Sequence, residues 1–358
     1  MRISAREFIK GTDWRLLLSS SVLVGIGLVL IYTLTWPQDN RFIKQLIFFG
    51  IGLALVFFLR FLDVHFWRNA SFLVYAVLII FLLGLLIFGE STRGARGWVA
   101  LGPAVFQPAE FMKIATILFL ATTLEKLHFD LVRFRHLLLA LFIVGLPVVL
   151  ILLQPDFGSA FIVLASSSVM LLYTGLDKKK LFILIVGSIV IGVIAWFGVL
   201  HPYQKERILT FLNPQSDPLG AGYNVRQSMV AIGSGGWLGR GLGLGPQSQL
   251  NFLPEQETDF IFASLAEEFG FAGSFLLLAI YFFFLWRIYK AMQSGENLFS
   301  NYLLLGIFTL FLTQIVVNVG MNMGLFPVTG ITLPFLSYGG SSLVVSFWGI
   351  GLIMSLRR

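Results

Sequence analysis

Residues 14–35, WRLLLSSSVLVGIGLVLIYTLT, carry one charge, Arg15, and then 20 residues with none. An α-helix rises about 1.5 Å per residue, so that run spans about 30 Å, the thickness of a bilayer's hydrocarbon core. Stretches of this kind recur, and they predict ten helices near 14–35, 42–62, 69–89, 108–124, 137–153, 157–175, 181–200, 258–286, 301–323 and 340–356. Apolar blocks of this length, rather than ten-residue segments of alternating polarity, exclude an outer-membrane β-barrel. The expected fold is therefore an all-α polytopic membrane protein, with residues 1–358 as a single ten-helix membrane domain.

Composition agrees. Hydrophobic residues make up 57% of the chain and charged residues 12%, about half the charge of a soluble globular protein, and the mean hydropathy is +0.87. Zero Cys excludes disulfides, thiolate metal centres, iron–sulfur clusters and cysteine nucleophiles, and 4 His make a multi-histidine zinc or haem site a poor fit. Arg2, Arg6 and Lys10 precede a full-length apolar run with no small-residue cleavage site after it. That reads as a retained first helix rather than a removed signal peptide.

If the N-terminus is cytoplasmic, 16 of the 25 Lys and Arg residues fall on the inner side, as the positive-inside rule requires. The net charge of +7 then follows from topology, and nucleic-acid binding has no other support. Of the 12 prolines, 11 lie in outward segments or at their junctions; the exception, Pro147, is expected to kink the fifth helix. Outward loops are long, near 90–107, 201–257 and 324–339, and the middle one holds nine glycines. Loops that long without secondary structure of their own are usually functional or disordered, which directs attention to the outer face.

Ionisable groups at membrane depth are costly, so each is a candidate for function. Glu110 and Lys113, three apart on one helix face, suit an ion pair that either orients helices or meets substrate. Asp156, just before the sixth helix, either caps it or binds substrate. Asp259 lies where a glycine-rich loop enters an apolar helix; Thr258 or Asp259 is the N-cap, or Asp259 is a partly desolvated base within reach of a polar head group. Glu267 and Glu268, deeper in the same helix, read as structural, one of them meeting a cation or polar group. Arg93, Arg96, Arg207, Arg226 and Arg240 are outer cations, as a set suited to a phosphate and singly no more than solvated loop charges. The run from Gly233 to Gly245 reads as a flexible or tightly turned loop, because it lacks the Gly-Lys-Ser ending of a phosphate loop. Trp98 is either an interfacial belt residue or a platform for a sugar. Residues 327–342 are too polar and too rich in Pro and Gly to span. They are expected to re-enter the bundle and line a cavity, with Asn318 and Asn322 supplying hydrogen bonds.

These motifs closely resemble the SEDS family of shape, elongation, division and sporulation proteins. The resemblance rests on Gly94-Ala95-Arg96-Gly97-Trp98, Gln107-Pro108-Ala109-Glu110-Phe111-Met112-Lys113, Gln154-Pro155-Asp156-Phe157-Gly158, Leu253-Pro254-Glu255 with Thr258-Asp259-Phe260, Glu267-Glu268, and the Pro327 to Ser342 segment that contains Ser337. They lie in the family's order over residues 90–342, with Ala109 where the family usually has serine. Asn213-Pro214 and the Asp217 to Asn224 run look like the rod-shape elongation branch rather than the division branch. The resemblance implies a peptidoglycan glycosyltransferase that polymerises lipid II on the outer face of the cytoplasmic membrane, with a class B penicillin-binding protein, a transpeptidase, as partner. It maps the family's essential aspartate onto Asp259, its outer-loop tryptophan onto Trp98 and its glutamate–lysine pair onto Glu110 and Lys113. The leaving diphosphate needs cations, from arginines such as Arg96, Arg207 and Arg226, from Lys113, or from a divalent ion such as Mg²⁺. The competing readings are a lipid II flippase and a scaffold that activates its partner.

Overall fold

The computed structural model describes residues 12–37, 39–88, 97–101, 104–127, 134–183, 186–187, 197–198, 205, 209–211, 220–295 and 297–356. Its elements in chain order are α1 (Trp14–Thr35), α2 (Arg41–Leu59), α3 (Val64–Phe88), a hairpin of β1 (Val99–Leu101) and β2 (Ala104–Phe106), and α4 (Pro108–Lys126). Then come α5 (Phe134–Leu153), α6 (Phe157–Tyr173), α7 (Ala221–Gly235), the single turn α8 (Pro246–Gln249), α9 (Ile261–Gln293), α10 (Leu298–Asn322) and α11 (Gly340–Ser355). The protein is an all-α polytopic membrane protein. Among the described residues, α1, α2, α3, α5, α9 and α10 are long and apolar enough to cross a membrane, and α6 and α11 are shorter apolar helices. The helix expected over 181–200 lies mostly outside the described residues.

Side chains such as Phe72, Ile80 and Phe88 point outward, as lipid contact requires, because a bilayer leaves no reason to hide apolar surface. The interior is held by α10, which packs against α4, α6 and α9, while α11 packs on α2. Asp13 starts α1 by accepting from the Leu16 amide at 3.1 Å and ties it to α9 through Arg287 at 2.8 Å. Pro147 sits inside a continuous α5.

The 201–257 stretch departs from the structureless loop expected of it. Residues 221–235 form α7, which packs on α9 with Ser228, Ala231 and Gly235 buried. A Cβ on Gly235 would stand 2.0 Å from the Ala266 carbonyl oxygen, so only glycine permits this approach. Beyond it the chain turns tightly and completes a broken helix. α9 is interrupted at Gly270 (φ 66, ψ −160), and the strayed amides of Phe271 and Ala272 donate to the Gly236 and Trp237 carbonyls at 2.8 and 3.0 Å. In return Arg240 and Gly241 donate to the carbonyls of Glu267 and Glu268. Both sides of the break are thus satisfied inside protein, the condition for irregular backbone at membrane depth.

Candidate active site

The segment between α10 and α11 enters the bundle as the sequence suggests. Ile331, Leu333, Phe335 and Leu336 are buried, with the Phe335 ring among those of Phe284, Phe311 and Phe347. Its backbone polar groups find partners in the surrounding helices. Asn318 Nδ2 donates to the Ile331 carbonyl at 2.7 Å and the Tyr281 hydroxyl to that of Pro334 at 2.6 Å. Gln45 donates to the Ser337 carbonyl at 3.0 Å and accepts from the Gly339 amide at 3.2 Å.

This segment forms one wall of a cavity of about 620 Å³, within the usual size of a ligand site. The other walls are the first turns of α2, α4 and α6, the β hairpin, and the turn that leads into α9. All of these lie at one end of the bundle. Asp259, Trp98, Glu110 and Asp156 line the cavity together, so residues from four separated motifs are brought to one place.

Asp259 is not the helix cap. α9 begins at Ile261 with Phe260 at the cap position and no side-chain cap bond, so Asp259 stands in the preceding turn. That turn is fixed from both flanks. The Asp259 carbonyl accepts from both Asn318 Nδ2 and Asn322 Nδ2 at 3.0 Å, the Thr258 carbonyl accepts from the Ser337 hydroxyl at 2.6 Å, and the Phe260 side chain is buried. Asn322 Oδ1 also accepts from the Ala263 amide at 3.0 Å, joining the first turn of α9 to α10. The carboxylate projects beside Gly330, whose left-handed φ of 71° suits glycine and where a Cβ would lie 3.8 Å from Asp259 Oδ2. Backbone clamped on both sides with an acid projecting into a cavity is the arrangement a preorganised base needs.

Among the other carboxylates, Glu110 accepts from Lys113 Nζ at 2.6 Å; the pair is buried and Lys113 stands behind the cavity wall. Asp156 caps α6 by accepting from the Ser159 amide at 2.9 Å, and its second oxygen accepts from Gln107 Nε2 at 3.0 Å. Gln107 in turn is tethered to α11, its amide donating to the Ser341 hydroxyl at 3.0 Å. Glu267 accepts from the Gln247 and Ser248 amides and the Ser248 hydroxyl, at 2.7 to 3.0 Å, so it pins the 245–249 turn to α9 as a structural acid.

Ser337 is buried and spent on backbone, accepting from the Leu333 amide as well as donating to Thr258, and it does not line the cavity. Arg226 lies exposed on α7 and Arg240 exposed on the turn after it, both away from the lining. Arg93, Arg96 and Arg207 lie outside the described residues. Two charged lining residues had no role assigned from sequence: Glu255, which belongs to the Leu253-Pro254-Glu255 motif and stands in a left-handed conformation at φ 49°, and Lys44 on α2, which belongs to none of the motifs. Lys44 stands at the polar start of an apolar helix, three residues from Arg41 and four from Phe48, a place that sequence alone does not distinguish from that of any interfacial charge.

The family described as "Cell cycle protein", which unites FtsW, RodA and SpoVE, matches residues 14–358. The stage V sporulation protein E of Bacillus subtilis is 37% identical over 97% of both chains. The peptidoglycan glycosyltransferase MrdB of Escherichia coli K12 is 39% identical over 79% of this chain and 76% of its own. Among solved structures, a chain of a peptidoglycan synthase complex, described as coordinating polymerization and crosslinking, superposes with a TM-score of 0.84 at 32% identity over 97% of both chains. The rod shape determining protein RodA of Thermus thermophilus superposes with a TM-score of 0.73 at 29% identity over 97% of this chain and 96% of its own. By this match along nearly its whole length, the chain belongs to the FtsW, RodA and SpoVE family of cell cycle proteins.

Proposed function

We propose that Asp259 is the general base of a glycosyl transfer that builds glycan strands from lipid II at the outer face of the bacterial cytoplasmic membrane. The chain is a peptidoglycan glycosyltransferase, the activity its relatives carry in their names. The acceptor's sugar hydroxyl gives its proton to Asp259 while its oxygen bonds to the donor's anomeric carbon. The bond from that carbon to the diphosphate oxygen breaks with inversion, and the polyprenyl diphosphate leaves with the electron pair. Trp98, half-buried in the cavity wall, offers a face to a sugar ring.

The observation that carries this reading is the placement of Asp259 in a cavity with its backbone held from both sides. The described lining lies at one end of the bundle, which favours chemistry at one face over passage between two. A divalent ion such as Mg²⁺ would add positive charge at the diphosphate. Among the described residues no three His, Asp or Glu gather, so such an ion would rest on Asp259 or Glu255 and on the diphosphate itself. The Asn213-Pro214 and Asp217 to Asn224 motifs favour elongation over division, and a class B penicillin-binding transpeptidase is the partner this reading assigns.

In-gel detection of glycan strands made from lipid II by the purified protein tests the base. Asp259→Asn is expected to lower the rate by roughly 10² to 10⁴. Near-normal strands from that variant would remove Asp259 from the reaction.

A further inference from the structure

We propose that Lys44 is the cation that grips the diphosphate of the lipid-linked sugar donor. This rests on the transferase reading above and adds the donor subsite to it. The first turns of α2 present Arg41, Lys44, Gln45 and Phe48 on one face, and three of the four are committed to holding the helix in place. Arg41 pairs with Asp39 at 2.8 Å and with Glu257, and lies over the Tyr338 ring. Gln45 is bonded to Ser337 and Gly339, and the Phe48 ring packs so closely on Gly340 that a Cβ there would stand 2.4 Å from it. Phe48 also shares the cavity wall, and of the three polar side chains Lys44 alone is left for the cavity. It lines the wall half-buried, and among the described residues it makes no ion pair.

Charge balance points to what it meets. The described lining holds Glu110, Asp156, Glu255 and Asp259, and Lys44 is the one cation among them. Lys113 is taken by Glu110, and Arg226 lies off the cavity. A diphosphate entering past those carboxylates is repelled unless a cation faces it, and Coulomb forces at a partly desolvated site are several times those in water. Depth fits too. Ile47 and Ile51, one and two turns further along α2, are exposed to lipid, so the ammonium sits where apolar surface begins and the head group of a tail-anchored lipid would be. When the anomeric bond breaks, the leaving oxygen gains charge, and Lys44 stabilises it while Asp259 holds the acceptor's proton.

The test uses full-length protein with the Asp259→Asn change, so that binding is read without turnover. Retention of a labelled polyprenyl diphosphate and of the matching uncharged polyprenol is measured for Lys44 and for Lys44→Gln and Lys44→Arg. Lys44→Gln is expected to weaken diphosphate binding about 10- to 100-fold, the worth of a charge-assisted hydrogen bond, with polyprenol binding unchanged. Lys44→Arg is expected to retain most of the affinity. Unchanged diphosphate binding in Lys44→Gln, an equal loss for the polyprenol, or an equal loss in Lys44→Arg would each overturn the assignment. Active Asp259→Asn enzyme would instead remove the base and leave the binding result standing.

Discussion

The Glu110–Lys113 pair shows how two charges can be buried at the edge of a lipid-embedded bundle. Both side chains are buried, and the contact of 2.6 Å between them compensates a desolvation that neither could bear alone. Removing one partner strands the other. Lys113→Met is therefore expected to destabilise the protein by about 3–5 kcal/mol, and Lys113→Met with Glu110→Gln by much less, since no unpaired charge remains. Thermal unfolding in detergent measures both, and a double variant as unstable as the single one would refute the ion-pair account. The pair was readable from its three-residue spacing, as was the bond of Asn318 to the re-entrant backbone, whereas Asn322, expected to bond there too, holds the Asp259 carbonyl and the Ala263 amide instead. The cap role of Asp156 was one of two open readings, and the structure selects it while keeping the residue in the cavity wall. Lys44 was not readable, because a lysine at the start of an apolar helix looks like any interfacial charge until the fold puts carboxylates around it.

α7 was hidden for a different reason. A helix announces itself through large apolar residues at 3.6-residue spacing. The buried face of α7 is made of Ser228, Ala231 and Gly235, small residues that let two backbones approach and leave no hydrophobic period to detect. The same feature makes the helix sensitive to a single methyl. At Gly235 a Cβ meets the Ala266 carbonyl at 2.0 Å, whereas at Gly233 nothing lies within 4 Å. Gly235→Ala is expected to cost about 1–3 kcal/mol by overpacking and to lower polymerisation by shifting the turn that holds Asp259. Gly233→Ala is expected to be neutral or stabilising by up to about 1 kcal/mol, because alanine favours helix over glycine. Equal melting temperatures for the two variants would show that α7 does not lean on α9 in this way. The hairpin β1–β2 escaped notice similarly, its strands being three residues each and too short for alternation to register.

Orientation in the membrane binds these parts together, because a base can meet lipid II only on the face where lipid II stands. With the N-terminus cytoplasmic, the orientation we propose from the Lys and Arg distribution, the cavity end faces outward, and the described lining, from α2 to α11, shares that end. The described apolar helices were legible because bilayer thickness acts on every residue of a span, while the cavity was legible only as a set of unplaced motifs. The chain's lack of cysteine makes the orientation directly testable. Asn40→Cys introduces a thiol on the exposed residue before α2, at the cavity end, and Lys178→Cys introduces one on the exposed stretch after α6, at the opposite end. With a membrane-impermeant maleimide on intact cells, Asn40→Cys is expected to label at once and Lys178→Cys only after the membrane is opened. The reverse pattern would put Asp259 and its cavity on the cytoplasmic face, where a glycan strand growing outside could not be made.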